Sequence, residues 1–186
     1  MTCIAAITDR QNKKIFMMGD TQRTSSSYSS FDPHEKIWLH TAYGRNWLLG
    51  HTGSQLCLQV CRYVFEWGEE APSGDIYEFL IRVWRPRLQT ALKEQLCYQK
   101  LDGIEQVDQN LMVGVEGRIF MFDKRLAITE FEEPFAAIGS GSAVAMGSLG
   151  TTEGMDLSPG ERLKLALRET TKYCTGVGGR HDLLTI

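Results

Sequence analysis

The strongest constraint on this chain is the order in which two hydrophobic periods alternate along it. "TCIAAIT" (residues 2–8) and "IFMMGD" (residues 15–20) read as strands around the polar turn "DRQNKK", a hairpin whose first strand starts directly behind Met1. The polar loop "TSSSYSS" follows, and "KIWLH" and "NWLLG" then read as a second short strand pair joined by "TAYGR". From Ser54 the period becomes helical: Leu56, Val60, Tyr63, Val64 and Trp67 predict a helix ending near Gly68. Ile76, Phe79, Leu80, Val83, Trp84, Leu88 and Leu92 predict a second amphipathic helix, with Pro86 inside it to kink or divide it. "QNLMVGVEGRIFMFD" reads as a hairpin turning at Glu116-Gly117, and "PFAAIGSGSAVAMGSLG" as a strand running through small residues into a helix. "SPGERLKLALRETTKY" is a helix with Ser158 as N-cap and Pro159 in the first position, and "DLLTI" is a closing strand.

The strands therefore come in hairpin-linked groups and the helices in pairs. A parallel doubly wound sheet would alternate strand and helix strictly. The pattern points instead to an α+β chain: two antiparallel sheets face to face, with a helix pair on each outer side. At 186 residues the expectation is one domain spanning 1–186, long enough to bury a real core. A net charge of −3 gives no basic footprint for nucleic acid. No stretch approaches the roughly 18 apolar residues of a membrane span. The start lacks a signal peptide's basic residues and long apolar run. Cys3, Cys57, Cys61, Cys97 and Cys174 are an odd set without scaffold spacing, so reduced thiols and a cytoplasmic location are expected.

Thr2 raises a chemical question. A threonine hydroxyl is a poor nucleophile unless a base takes its proton, and the threonine's own free α-amine is one such base. That amine titrates near 7.7–8.0, about the working pH, and a neighbouring cation would lower it further. Removing Met1 would expose it. By itself, threonine is also simply a good strand residue.

Five segments occurring in order, "TCIAAITD…IFMMGD", "DPHEKIW", "LLGHTGS", "NLMVGV" and "AAIGSGSAVAMGSL", resemble the β-type subunits of proteasomes and the related bacterial heat-shock protease core. These are N-terminal nucleophile hydrolases with a four-layer αββα sandwich, and the resemblance covers nearly the whole chain. It implies a threonine peptidase or amide hydrolase with Thr2 as nucleophile and its freed amine as general base. It implies that Asp20 of "MMGD" pairs with Lys36 of "HEKIW" beside the nucleophile. Ser140 of "GSGS" would put a hydroxyl near the amine. Gly53 is the expected oxyanion donor, with Gly50 the alternative, and Thr21 a substrate-binding residue. The resemblance also implies a homo-oligomer, by analogy a ring, acting on peptide or protein, without cofactor or metal. An unfoldase partner and the ring size are not written in the sequence.

The match departs in "TTKYCTGVGG". Lys172 stands where many relatives carry an aspartate, and Thr175 is left to hold the catalytic centre through its hydroxyl. Met1, if kept, would tie Thr2's amine into a peptide bond. These two features keep open a catalytically inactive structural or assembly subunit, and the fold alone leaves open a non-peptidase amidohydrolase. "GSGS" lacks the glycine-lysine-serine ending of a phosphate loop. Cys3 reads as a buried small residue on the opposite strand face from Thr2. Cys57 and Cys61, four apart on one helix face, read as core because no further ligand stands at zinc spacing. His34, His40, His51 and His181 form no cluster; His51 lies in the active-site turn, where it would meet substrate. Trp38, Trp47, Trp67 and Trp84 are assigned to packing or subunit contact.

Overall fold

The computed structural model describes residues 1–24, 29–31 and 36–186. "TSSSYSS" and "DPHEKIW" lie partly outside the described residues, and His34 wholly so. β1 (Ile4–Asp9) and β2 (Lys14–Asp20) form the opening hairpin. β12 (Phe135–Ile138) pairs with β1, and β13 (His181–Thr185) with β2, closing a four-stranded antiparallel sheet in the order β12-β1-β2-β13. The second sheet holds β5 (Ile37–Ala42), β6 (Arg45–Gly53), β9 (Gln109–Val115), β10 (Arg118–Phe122) and β11 (Ile128–Glu130), in the order β11-β10-β9-β6-β5. Its hairpin turns at Tyr43-Gly44 and Glu116-Gly117 place both central residues at positive φ, the backbone that matches strand twist in a two-residue turn.

Strand alternation divides the core into three layers of side chains. Ile4, Ala6, Ile15 and Met17 of the first sheet meet Ile37, Leu48, Met112 and Ile119 of the second. On the first sheet's outer face, Cys3, Ala5, Ile7 and Met18 pack against α4 (Ser142–Thr151) and α5 (Pro159–Tyr173) through Ala145, Leu149, Leu163 and Leu167. On the second sheet's outer face, Trp47, Leu49, Leu111 and Val113 pack against α1 (Gln55–Gln59), α2 (Ile76–Phe79) and α3 (Arg85–Glu94). Trp47 and Trp84 are completely buried there, and each large apolar side chain so placed contributes about 1.5–3 kcal/mol. The result is the αββα sandwich that the element order implies. α5 starts as read: Ser158 and Glu161 form a reciprocal capping box, with Pro159 in the first turn.

Four details differ from the sequence reading. β1 begins at Ile4, not Thr2, because the Cys3 N–H is taken by the Asp20 carboxylate and the Thr2 N–H by Ser140. The helix after Ser54 ends at Val64, not Gly68: α1 continues as a π-helical turn over Val60–Val64, and Phe65 is extended. Trp67 is still buried, and its carbonyl is held by Arg87 Nη1 at 2.7 Å. The inward face of α1 is Cys57, Leu58, Val60 and Cys61, whereas Leu56, Tyr63 and Val64 are exposed. Pro86 does divide the second helix: a π-helical turn over Leu80–Trp84 precedes it, and it sits in the first turn of α3. Two small hairpins were not foreseen, β3 (Gln22–Thr24) with β4 (Ser29–Phe31) and β7 (Tyr98–Leu101) with β8 (Ile104–Val107). Among the described residues no helix is long and apolar enough to cross a membrane.

Candidate active site

The hairpin β1–β2 sets Asp20 beside the chain's first residues. Its carboxylate collects three donors: Cys3 N–H at 3.0 Å and Lys36 Nζ at 2.9 Å on Oδ1, and Gly178 N–H at 3.2 Å on Oδ2. Lys36 precedes β5 and is buried, so its stem and head are fixed by packing. The ammonium also donates to Thr2 Oγ1 at 2.8 Å and to the Gln22 carbonyl at 2.5 Å. Burial pushes the Lys36 ammonium below the ordinary lysine range, and the Asp20 charge beside it works against that shift.

Thr2 is buried and held on its other side by the β12–α4 turn. Its N–H donates to Ser140 Oγ at 3.2 Å, and its carbonyl accepts from Gly141 N–H at 3.3 Å. Gly139 lies at φ +96°, and a Cβ there would stand 2.2 Å from the Thr2 carbonyl oxygen, so close approach and backbone shape both require glycine. Met1 precedes Thr2 and is mostly exposed; its carbonyl accepts from the Thr2 hydroxyl at 2.6 Å.

Two cavities flank Thr2. One, of about 200 Å³, is lined by Thr2, Lys36, His51, Gly53, Ser54 and Leu58. The other, of about 360 Å³, lies toward Ser140, Thr52, Asp108 and Lys124. Gly53 borders both. In an antiparallel strand successive N–H groups point to opposite sides. Ser54 N–H reaches Asp108 on the β9 side, and His51 N–H reaches Lys36 on the β5 side. Gly53 N–H, two residues beyond His51, is therefore directed past Lys36, where β5 no longer runs.

The residues singled out in the sequence separate into two groups. Thr2, Asp20, Lys36, Ser140 and Gly53 stand together. Gly50 lies between the sheets, where a Cβ would meet Ile4 at 2.9 Å, and does not line either cavity. Thr21 is buried against Arg180, donating its N–H to the Arg180 carbonyl at 3.0 Å and accepting Arg180 N–H on Oγ1 at 2.9 Å. Thr175 is exposed and joins the site through its carbonyl, which accepts from Gln22 Nε2 at 3.3 Å. Lys172 is exposed and rests over Tyr173. Cys3 points to the α4–α5 side, buried, its thiol pushed up to about 12. His51 does enter the cavity beside Thr2. It is buried, its Nε2 lies 3.0 Å from Gln109 Oε1, and burial holds it down to about 4.

Sequence reasoning missed Gln22 and Gly178. Gln22 sits two residues beyond Asp20, hence on the same side of the chain, which was the available signal. Gly178 carries no signal, because its role is a backbone N–H. Among the described residues no group of three or more ligating side chains could hold a metal ion.

No protein-family model matches the sequence, and no curated protein matches it. Solved structures do. Thiobacillus denitrificans BPH, in complex with epoxomicin, superposes with a TM-score of 0.80 at 21% identity over 100% of this chain and 98% of that one. Eukaryotic HslV from Trypanosoma brucei gives 0.67 at 16% identity, covering 99% and 98%. Anbu from Pseudomonas aeruginosa, solved as a helical assembly, gives 0.71 at 14% identity, covering 100% and 81%. The chain thus has the N-terminal nucleophile hydrolase fold, in the form shared by these proteasome-like proteins.

Proposed function

We propose that this chain is a threonine-type peptidase or amide hydrolase in which Thr2, freed of Met1, is the nucleophile. The observation that carries the reading is the Lys36 ammonium, 2.8 Å from Thr2 Oγ1 and 2.9 Å from Asp20 Oδ1. Once the Met1–Thr2 bond is cleaved, the Thr2 amine takes the proton from Oγ1 as that oxygen bonds to the substrate carbonyl carbon. The lysine charge favours both the neutral amine and the developing alkoxide. The carbonyl oxygen becomes an oxyanion, and Gly53 N–H is the donor aimed at it, a contact of a kind that typically contributes a few kcal/mol. The amine then passes its proton to the leaving nitrogen, the carbon–nitrogen bond breaks, and water hydrolyses the remaining ester. Ser140 Oγ, 3.2 Å from Thr2 N, orients that amine.

Self-association is part of the proposal. Leu56, Tyr63 and Val64 leave an apolar stripe exposed on α1, and the Pseudomonas Anbu complex is a helical assembly. Five free thiols support a reducing, cytoplasmic setting. A second reading, a non-catalytic subunit, holds if Met1 is kept: the Thr2 hydroxyl then donates to the Met1 carbonyl and the Thr2 amine is tied into a peptide bond. Kinetics separate the two. The Met1-free protein should hydrolyse short fluorogenic peptides, and Thr2→Ala should abolish turnover while Thr2→Ser keeps part of it. Equal turnover by Thr2→Ala would reject the mechanism.

A further inference from the structure

The two cavities beside Thr2 differ in what they offer a substrate. The leaving nitrogen must receive its proton from the Thr2 amine, and that amine sits at Ser140. The leaving side therefore lies toward Ser140, and the acyl-side residue lies in the 200 Å³ cavity with His51.

His51 faces that cavity with its ring held by Gln109. With the Gln109 amide turned so that its Oε1 receives the Cys61 thiol at 3.4 Å, His51 Nε2 carries the hydrogen in the 3.0 Å contact. The other ring nitrogen, Nδ1, is then a lone pair able to accept. Burial keeps the ring neutral, and the charges of Lys36 and Arg23 oppose its protonation from the same side. Gln55, which also lines the cavity, has an Oε1 with no partner among the described residues. Its terminal torsion is soft, so the amide turns readily toward a ligand. The cavity thus offers two acceptors, His51 Nδ1 and Gln55 Oε1, beside the donor Arg23 Nε, within a positive field. A carboxylate is drawn by that field but brings no hydrogen to either acceptor. An ammonium or guanidinium meets the field of Lys36 and Arg23. An aliphatic side chain leaves both acceptors unpaired. A primary carboxamide supplies two N–H groups, and its oxygen accepts from the Ser54 hydroxyl at the rim.

We propose that this cavity selects a carboxamide side chain, asparagine or glutamine, on the acyl side of the bond Thr2 attacks; the inference rests on the hydrolase reading above. The test holds shape constant and varies only hydrogen bonding. Met1-free protein is assayed on peptides that differ at that one residue: Asn against Asp and Leu, and Gln against Glu and Met. The carboxamide should lead its own set by about tenfold or more in kcat/KM, the discrimination expected when polar groups in a site are otherwise left unpaired. His51→Phe should bring that ratio close to one. Should His51→Phe not fold, Gln55→Ala, at the half-buried start of α1, carries the same expectation. Preference for Leu and Met, or for Asp and Glu, overturns this proposal. An epoxyketone run in parallel tells the failures apart: Thr2 labelled with the wrong preference rejects the specificity alone, and Thr2 never labelled rejects both.

Discussion

Asp20→Asn strikes the point where three elements meet. The Asp20 carboxylate accepts from Cys3 N–H, Lys36 Nζ and Gly178 N–H at 3.0, 2.9 and 3.2 Å. Asparagine keeps the shape and one oxygen. If that oxygen stays with Cys3 and Lys36, the new NH₂ faces the Gly178 N–H, donor against donor. Lys36, with a side chain only 6% exposed, loses its paired anion. Breaking a buried ion pair by removing one partner costs about 3–5 kcal/mol. For a chain of this length that lowers Tm by roughly 6–20 °C. The effect also has a pH signature. Burial already sets the folded Lys36 pKa below the ordinary 10.5, with Asp20 the main opposing influence. Without Asp20 the folded value drops further, so the folded state binds fewer protons than the unfolded state up to 10.5. Stability of the variant then rises with pH across that window, and its deficit narrows from pH 7 to pH 9.5. Thermal unfolding followed by circular dichroism, at one protein concentration so that assembly contributes equally, measures both. A Tm within about 2 °C of the unaltered protein at pH 7, or a deficit that widens at pH 9.5, would refute this reasoning.

Three further outcomes follow from the same geometry. His51 is held at about 4 against 6.5 when unfolded, so folding stability falls as pH drops from 6.5 toward 4; in urea titrations His51→Asn should flatten that interval, a difference approaching about 3 kcal/mol at its acid end. Gly53 lies at φ +116° with the site of a Cβ 2.1 Å from the Asp108 carbonyl oxygen, whereas Gly44, at φ +69°, has open space. Gly53→Ala should therefore cost more than Gly44→Ala, by about 1–3 kcal/mol, in urea unfolding, and the reverse order would contradict the strain at Gly53. Native alkylation at pH 8, mapped by peptide mass, should reach half-buried Cys174 first, with Cys3, buried and pushed up to about 12, modified only after denaturation.

The layers were legible because the strands are hydrophobic on both faces and the helices on one. β1 and β2 run almost wholly buried, a signal no turn or loop imitates. The inward face of α1 was legible through Cys57 and Cys61; Leu56, Tyr63 and Val64 are apolar yet exposed, so period alone could not tell an inward stripe from an outward one. The β7–β8 hairpin escaped notice because "YQKL" and "IEQV" are mostly exposed and bury little beyond Val107. In the site, Thr2 and Ser140 are 138 residues apart and share no local pattern; the resemblance to proteasome subunits brought them together, not periodicity. The pairing of His51 with Gln109 was illegible for the same reason, since the β6–β9 register that brings them together is a tertiary fact.

The most direct measurement is the intact and peptide-mapped mass of the Met1-free protein after treatment with a peptide epoxyketone. That reagent requires a hydroxyl and an amine on one residue, because it closes a ring through both. The expected result is one adduct per chain, located at Thr2 and lost in Thr2→Ala. An unlabelled chain with a free Thr2 terminus, or an adduct on any other residue, would contradict the nucleophile assignment.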